Sequence, residues 1–386
     1  MRNFADAGTF KKLSIFTATN KDDLNYRTIF SNRKNWGILL GIFTILLGWL
    51  MPPAFVERAY SRGLFLGVRW LFRWLDGWWS FAGVYVLLVL LLAWLGWRLV
   101  RRMGKDLPLG KRLLRFGHGL LGFAGLVVFL FQWLWGFNYG RIPLEQQMGI
   151  SPRPLTVGEL RDELLRATTD AVAHRQMLVE GPDTVLVAQQ IKPSAETLMR
   201  YSLRMVLKQY GYPRPDDVRA RTIWPKGTLL RFSTAGVYLP FTGEGNVDAG
   251  LHHLQLPFVL AHEMSHGYGH GDEGTCNFLA YLACIQSGDP YVEYIGHLYY
   301  WRYVASQYLS MAPDAYAQYK KALPPGIRAD VRAINAEMDK YPDILPELRD
   351  AAYNTYLQSQ GIAEGMKNYD RVVMLVAAWR QKQGGH

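Results

Sequence analysis

The sequence predicts a fold of two parts: an α-helical membrane region with three transmembrane helices, and a mostly α, α+β domain with a small sheet. Three observations predict it. Tryptophan, phenylalanine and leucine are concentrated in the first third of the 386 residues, in three long apolar runs. After about residue 143 the composition becomes that of a globular domain with apolar residues at helical spacing. Short β-prone runs, separated by glycine and proline, lie between residues 221 and 247.

The apolar runs occupy residues 36–53, 81–97 and 117–135. Each is about long enough to cross a bilayer and is bordered by tryptophan, a usual interfacial anchor. Buried core helices are the alternative, but the runs lack the polar face of a soluble helix. We therefore predict an N-terminal segment at residues 1–35, a three-helix transmembrane region at residues 36–137, and a lipid bilayer as partner.

The positive charges predict the orientation in the membrane. The net charge is +11, and lysine and arginine are concentrated in the N-terminal stretch and between the second and third runs. Both regions should face the cytoplasm by the positive-inside rule, which makes residues 138–386 an extracytoplasmic domain. Membrane orientation thus accounts for much of the basic charge. No nucleic-acid-binding signature is present, and we expect no nucleic acid partner.

The loop between the first and second runs does not fit this pattern simply. It carries four arginines among leucine, phenylalanine and tryptophan. We interpret residues 60–76 as an amphipathic helix that lies in the outer membrane interface. A re-entrant or short spanning helix is the alternative, and it would invert the topology.

In the second part, capping residues and apolar spacing predict the helices. The helix at residues 156–178 starts with Thr156 and Glu159, a pair that resembles a capping box. The helix at residues 194–210 has Ser194 as its N-cap and Gly211 as its stop. Further helices are predicted at residues 256–266, from 273 or 274 to about 287, and at residues 291–310, 313–322, 327–338, 345–360 and 365–381.

The small sheet is predicted from three runs, at residues 222–224, 229–232 and 237–241. Pro240 suits an edge strand, because proline cannot donate a hydrogen bond to a neighbouring strand. An edge strand here could pair with an extended polypeptide. An ordinary hairpin with a glycine-rich turn is the alternative.

The segment that carries chemistry reads Val-Leu-Ala-His-Glu-Met-Ser-His at residues 259–266. His262 and His266 are four residues apart, so on a helix they project from one face about a turn apart. Two such imidazoles can bind one tetrahedral metal ion, and Glu263 beside them can act on a metal-bound water. Chance occurrence on a surface or core helix is the alternative. The apolar lead-in, the glycine-rich reversal and the carboxylates that follow favour a metal site, with Zn²⁺ as cofactor.

Two adjacent carboxylates can complete the metal site. Asp272 fits a spacing in which a glycine turn precedes the third ligand, whereas Glu273 would be the ligand from the start of the next helix. Asp272 also suits an N-cap, and Glu273 is the favoured ligand. Asn277 lies one turn beyond Glu273 and could orient a ligand by a hydrogen bond.

Several segments resemble the bacterial membrane-protein family called domain-of-unknown-function family 3810. They are WGFNYGRIPL, GVYLPFTGEGNV, LPFVLAHEMSHGYG, NFLAYLAC and YLQSQGIAEGMKNYDRVV, which begin at residues 135, 236, 256, 277 and 356. The resemblance implies a membrane-anchored zincin-like fold in the bacterial cytoplasmic (inner) membrane, multi-pass. The family usually has another glutamate shortly before Asn-Phe, where Thr275 and Cys276 stand here.

The predicted function is that of a zinc metallopeptidase acting on a peptide or protein substrate. His262, His266 and Glu273 would hold the metal, with Glu263 as general base. Donors for the developing oxyanion could be Tyr369, Arg371 or Tyr268, each of which also has a structural interpretation. The alternative is a catalytically degenerate metal-binding protein that acts as a membrane scaffold or sensor.

Overall fold

The computed structural model describes residues 33–78, 80–100, 108–178, 184–213, 217–344, 346–347, 351, 355 and 371–384. These residues form a mostly helical protein with one three-stranded sheet, as the sequence predicts. The predicted helix at 345–360, most of the N-terminal segment and Tyr369 lie outside the described residues.

The N-terminal half of the described chain consists of helices. They are α1 (Arg33–Leu50), α2 (Pro53–Phe55), a π-helix (Val56–Leu64), α3 (Phe65–Asp76), α4 (Val84–Val100), α5 (Leu109–Leu134), a 3-10 helix (Gly136–Gly140) and α6 (Leu144–Met148).

Helices α1 and α5 pack closely because glycines face each other along the contact. A Cβ on Gly37 would collide with the backbone of Gly122, and one on Gly41 would lie 2.7 Å from Cα of Gly125. Gly37 and Gly41 are four residues apart, the small-residue spacing that lets membrane helices approach. The spacing of Gly37 and Gly41 therefore allows α1 and α5 to pack closely.

By length and apolar composition, one described helix can cross a membrane, the stretch Leu113–Leu134 of α5. The stretches Asn35–Leu50 and Pro53–Asp76 pass the test only as a pair bent by 107°. The apolar helix Val84–Arg98 is shorter. The described residues thus give one or two candidate spans, and the prediction of three is wrong by this measure. The first run ends at Pro52 and Pro53, where proline disfavours a continuing helix.

The second half contains the sheet and the remaining helices. They are α7 (Val157–Gln176), α8 (Ala195–Gln209), β1 (Ala220–Ile223), a 3-10 helix (Leu230–Phe232), β2 (Gly236–Leu239), β3 (Glu244–Asp248), α9 (Leu256–Gly267), α10 (Glu273–Ile285), α11 (Pro290–Met311), α12 (Pro313–Ala322), α13 (Pro325–Met338) and α14 (Arg371–Gly384).

The predicted helix starts are confirmed where the signal is local. Thr156 and Glu159 form a reciprocal capping box at α7. The Ser194 hydroxyl accepts a hydrogen bond from the backbone N–H of Thr197 at 3.2 Å, at the start of α8. Gly211 follows that helix with a φ of 73°, a left-handed conformation that glycine adopts without strain.

The sheet has the order β1-β3-β2, with β3 parallel to β1 and antiparallel to β2. The sequence prediction missed β3, because Glu-Gly-Asn-Val-Asp lacks β-branched and aromatic residues apart from one valine. It also predicted a strand at residues 229–232, where the chain forms a 3-10 turn. The Asp248 carboxylate accepts hydrogen bonds from backbone N–H groups of Gly227, Leu229 and Leu230 and holds that turn.

Helices α9 and α10 lie at the centre of the domain, and nearly all residues of both are buried. Helix α8 packs against both of them, the sheet packs against α9, and α11 and α14 pack against α10. Both helices belong to one buried apolar cluster, which also contains residues of α7, α8, α11 and α14.

Elements before residue 138 also contact this domain. Arg221 of β1 has a 3.6 Å contact with the carboxylate of Asp76 at the end of α3. The Tyr85 hydroxyl donates to the carbonyl oxygen of Trp224 at 3.0 Å. Packing therefore crosses the predicted boundary between residues 137 and 138.

Candidate metal centre

Helix α9 carries both histidines in the interior of the protein. It begins at Leu256 with Pro257 in its first turn, where a missing N–H costs no hydrogen bond. His262 is 9% exposed and Glu263 is 4% exposed. His266 is half-buried. The apolar lead-in is thus the buried first half of this helix, and its polar half faces a cleft.

The chain reverses after α9 over Tyr268 to Gly271. Gly269 has a φ of 84°, and a Cβ there would lie 2.8 Å from the side chain of Asn138. The reversal directs the carbonyl oxygen of His270 at Nδ1 of His266, 2.8 Å away. It also brings the first turn of α10, and with it Glu273, back to the histidines.

Three side-chain atoms converge where α9 meets α10. Oε2 of Glu273 lies 3.1 Å from Nε2 of His262 and 3.4 Å from Nε2 of His266. The two Nε2 atoms are 3.2 Å apart. Zinc–ligand distances of about 2.0–2.2 Å in a tetrahedron imply ligand separations of about 3.3–3.6 Å. The three separations found here, 3.1–3.4 Å, lie close to that range, so these three atoms could hold one metal ion.

The tautomers explain why these atoms suit a cation. The carbonyl oxygen of His270 only accepts, so Nδ1 of His266 carries the hydrogen. Asn277 Oδ1 lies 2.8 Å from Nδ1 of His262 and accepts the Tyr303 hydroxyl at 3.0 Å, so Nδ1 of His262 donates too. In neutral imidazoles both Nε2 atoms then present lone pairs to each other and to a carboxylate. Three acceptors this close repel one another unless a proton or a cation lies among them.

The pKa shifts of the groups in the cluster also indicate that it suits a positive charge. Burial alone would raise the pKa of Glu273, but His266 and His262 outweigh burial and hold this pKa well below its usual range. Burial alone would lower the pKa of His266, but Cys276 and Glu273 hold it well above its usual range. Burial raises the pKa of Cys276 to about 12, against the effect of His266. A proton on His266 can supply the positive charge, and a metal cation can serve all three acceptors at once.

Glu263 lies on the sheet side of the histidines. A Cβ at Gly236 of β2 would lie 2.6 Å from Oε1 of Glu263, and a Cβ at Gly245 of β3 would lie 2.6 Å from its Cβ. Burial raises the pKa of Glu263, against the effect of the two histidines. Its Oε2 atom is buried and has no hydrogen-bond partner among the described residues. Two strand glycines thus make room for a carboxylate that has a free oxygen beside the cluster.

The other predicted residues lie outside the cluster. Asp272 is the N-cap of α10: its Oδ1 accepts from the N–H of Thr275 at 2.6 Å and lies 3.0 Å from Arg371. Arg371 also pairs with Glu145. Tyr268 is buried beneath the guanidinium of Arg69, 4.3 Å from the ring centroid. Neither Asp272, Arg371 nor Tyr268 lines the cleft described below, and Tyr369 lies outside the described residues.

A cleft of about 650 Å³ opens onto the cluster. One wall is β2 with its flanking residues, and β2 is an edge strand of the sheet, as Pro240 predicts. A second wall comes from α9 and α11, and a third from the end of α5. The lining residues that the site uses are His262, Glu263, His266, Glu273, Asn277 and Tyr303.

Two residues at the site have roles that the sequence did not reveal. The Trp135 indole N–H donates to the carbonyl oxygen of His266 at 2.7 Å. This hydrogen bond links the end of α5 to α9. The Tyr303 hydroxyl supports Asn277 from α11. Trp135 stands in a segment that carries the family resemblance, but its partner is 131 residues away in the chain. No local pattern indicates such a contact.

Comparison with known proteins identifies the family of the chain but not its activity. A family profile described as "Protein of unknown function (DUF3810)" matches residues 60–377. No curated protein and no solved structure matches the chain. The matched range covers α3, the sheet, both helices of the cluster and α13, so the chain belongs to the DUF3810 family of proteins of unknown function.

Proposed function

We propose that the protein is a membrane-anchored, zinc-dependent hydrolase, and specifically a metallopeptidase. The observation that carries the proposal is the convergence of two imidazole Nε2 atoms and one carboxylate oxygen within 3.4 Å of each other at the floor of a cleft. Both imidazoles are oriented by hydrogen bonds at Nδ1, as metal-binding histidines usually are. A catalytic zinc site has three protein ligands and one open position, which the cleft provides.

His262, His266 and Glu273 would hold Zn²⁺, which supplies a Lewis acid and lowers the pKa of water at the site. Glu263 would take the proton from the attacking water and give it to the leaving amine. Its buried position and its raised pKa suit a group that must both accept and release a proton. Asn277 keeps His262 in the tautomer that offers Nε2 to the metal.

The edge strand β2 supports a peptide as substrate. Residues 234–238 and Pro240 border the cleft, and the other edge of β2 is occupied by β3. An extended chain can add to such a free edge through backbone hydrogen bonds, with Glu263 and the cluster beside it. This arrangement favours polypeptide over a compact small molecule.

The membrane anchor rests on α5 and on the paired helices before it. Helix α5 has an apolar stretch of 22 residues, and little of it is buried inside the protein. The 107° bend after Leu50 suits a spanning helix followed by an interfacial one. Together with the basic residues of the sequence, these features support an extracytoplasmic domain on a bacterial inner membrane. Zinc, peptide and lipid are the proposed partners, and nucleic acid is not.

The test combines metal analysis with peptide cleavage by the full chain in detergent micelles. We expect one Zn²⁺ per chain and cleavage of a mixed library of extended peptides, detected by mass spectrometry. Glu263→Gln should keep the metal and lose at least about 100-fold in kcat/KM, because it removes only the general base. His262→Ala and Glu273→Gln should lose both metal and activity.

Two results would contradict the proposal. A chain that binds no zinc under these conditions has no metal centre at this cluster. A chain that binds zinc, and whose cleavage of peptides is absent or unchanged by Glu263→Gln, is the degenerate metal-binding scaffold or sensor instead.

A further inference from the structure

We infer the substrate class of this site, on the basis of the proposed function: the enzyme cleaves polypeptide immediately outside the membrane, in proteins anchored in the same bilayer. The inference rests on where the cleft lies relative to α5, to α3 and to the metal cluster.

The end of α5 is part of the cleft itself. Phe131 and Trp135 line it together with His262 and His266, and so does Tyr139 of the following 3-10 helix. Trp135 is the residue directly after α5, and its indole donates to the carbonyl oxygen of the metal-binding His266. The metal cluster therefore stands at a fixed height above the last turn of the spanning helix.

The length of α5 places that last turn at the membrane boundary. The apolar stretch Leu113–Leu134 has 22 residues. At about 1.5 Å per residue it spans roughly 33 Å, close to the bilayer hydrocarbon thickness of about 30 Å. Tryptophan is enriched at the interface, and the partly exposed Trp133 stands at this end of α5. The cleft thus opens in or just above the headgroup layer.

The exposed face of helix α3 independently indicates that the cleft lies at the membrane surface. Trp70, Trp74 and Trp78 recur every four residues, so they share one face of the segment, and they are 63%, 55% and 71% exposed. The opposite face carries the buried Phe65, Arg69 and Asp76, which pack toward the domain. An exposed row of tryptophans on a helix beside the membrane span is suited to lie in the interface.

A site at this height favours one kind of polypeptide. An extended residue advances about 3.3 Å, and Trp135 at the end of α5 contacts His266, so a chain that emerges from the bilayer here reaches the cluster within a few residues. Phe131, Trp135 and Tyr139 would contact the residues nearest the membrane, where apolar side chains are common. A peptide far from the membrane gains none of these contacts.

The experiment uses the full chain with Zn²⁺, reconstituted in vesicles of phosphatidylethanolamine and phosphatidylglycerol. Each substrate is one transmembrane helix joined to a randomised extended cassette. In the first substrate the cassette follows the helix directly. In the second, a rigid proline-rich spacer of about 15 residues holds it roughly 45 Å away. In the third, a flexible glycine/serine spacer of equal length lets the cassette return to the surface.

We expect the direct substrate to be cleaved at least tenfold faster than the one with the rigid spacer, and the flexible spacer to restore most of the rate. All three share one surface concentration, so the order reports distance from the membrane. Equal rates for the direct and rigid-spacer substrates overturn this inference and leave the peptidase intact. Failure to cleave any of the three by zinc-loaded protein, in vesicles and in detergent, overturns the peptidase and this inference with it.

Discussion

At the scale of single residues, the proposed metal site depends on groups that would not bind the metal themselves. The hydrogen bond of Asn277 fixes the tautomer of His262, and the carbonyl oxygen of His270 does the same for His266. Hydrogen bonds of this kind orient the ring and make Nε2 a better ligand. The affinity of the cluster for a metal should therefore depend on the groups that hydrogen-bond to its histidines.

We predict that Asn277→Leu lowers the affinity for Zn²⁺ by about 10- to 100-fold, because Nδ1 of His262 loses its acceptor. The measurement is competition with a chromophoric chelator at fixed pH. Tyr303→Phe is the matched control: it removes the hydroxyl that supports Asn277 but keeps the amide, so its effect should be smaller. Equal zinc affinity in Asn277→Leu and the unaltered chain contradicts this role.

At the scale of elements, a buried carboxyl joins the sheet to α3 and to the start of α4. Glu244 of β3 is fully buried; its Oε2 lies 2.8 Å from Nε of Arg221, and its Oε1 accepts from the backbone N–H of Gly83. Burial, together with the nearby Asp76, raises the pKa of Glu244 to about 7. The contact between these elements therefore depends on protonation.

The direction of the pH effect follows from that raised pKa. The folded state holds the Glu244 proton up to about pH 7, while the unfolded state releases it near the ordinary glutamate pKa of 4.5. Stability from this group is complete below about pH 4.5 and is lost as pH rises through 7. At about 1.4 kcal/mol per pKa unit the loss is at most about 3 kcal/mol.

We predict that the melting temperature of the unaltered chain falls between pH 5 and 8, relative to that of Glu244→Gln, which does not titrate. Thermal unfolding in detergent at several pH values measures it. Glu159→Gln is the control, because the pKa of Glu159 is held at about 2 by Arg153 and it does not titrate in this window. Parallel pH profiles for Glu244→Gln and the unaltered chain would refute the prediction.

At the scale of the whole molecule, the helices before residue 138 complete the buried interior of the domain. Arg141 donates to the carbonyl oxygens of Tyr268 and Gly269, at the reversal between α9 and α10, and pairs with Glu57 of the π-helix at 2.9 Å. Arg141 and Glu57 are both buried. Through Glu57 and Arg141, the helices before residue 138 thus support the chain reversal that positions Glu273.

We predict that a fragment of residues 138–386 does not form the metal centre. It leaves Arg141 without Glu57, and an uncompensated buried charge costs about 3–5 kcal/mol; Arg221 also loses Asp76 and keeps only Glu244. Zinc content and resistance to limited proteolysis measure the outcome against the full chain. Glu57→Gln in the full chain isolates one of the two losses and should weaken zinc binding partially. A compact, zinc-loaded fragment contradicts this dependence.

Local signals in the sequence gave reliable predictions of local structure. The capping box of Thr156 and Glu159 was confirmed because both partners lie within one turn. The start of α10 was predicted at Glu273 or Gly274, and Glu273 is its first residue. By contrast, β3 was missed, since its five residues form a strand only by pairing with β1 and β2. The shortfall in membrane spans has the same origin, because hydropathy alone reports neither bends nor helix ends.

The sequence by itself determined the helical class, the family, the edge position of β2 and the pairing of His262 with His266, because each depends on spacing or composition within one segment. Only the tertiary structure shows where the two neighbouring carboxylates lie: Asp272 caps α10 and pairs with Arg371, while Glu273 contacts the histidines. It alone also brought Trp135 to His266 and Glu57 to Arg141. Those contacts join residues far apart in the chain, and their partners are fixed by how the helices pack.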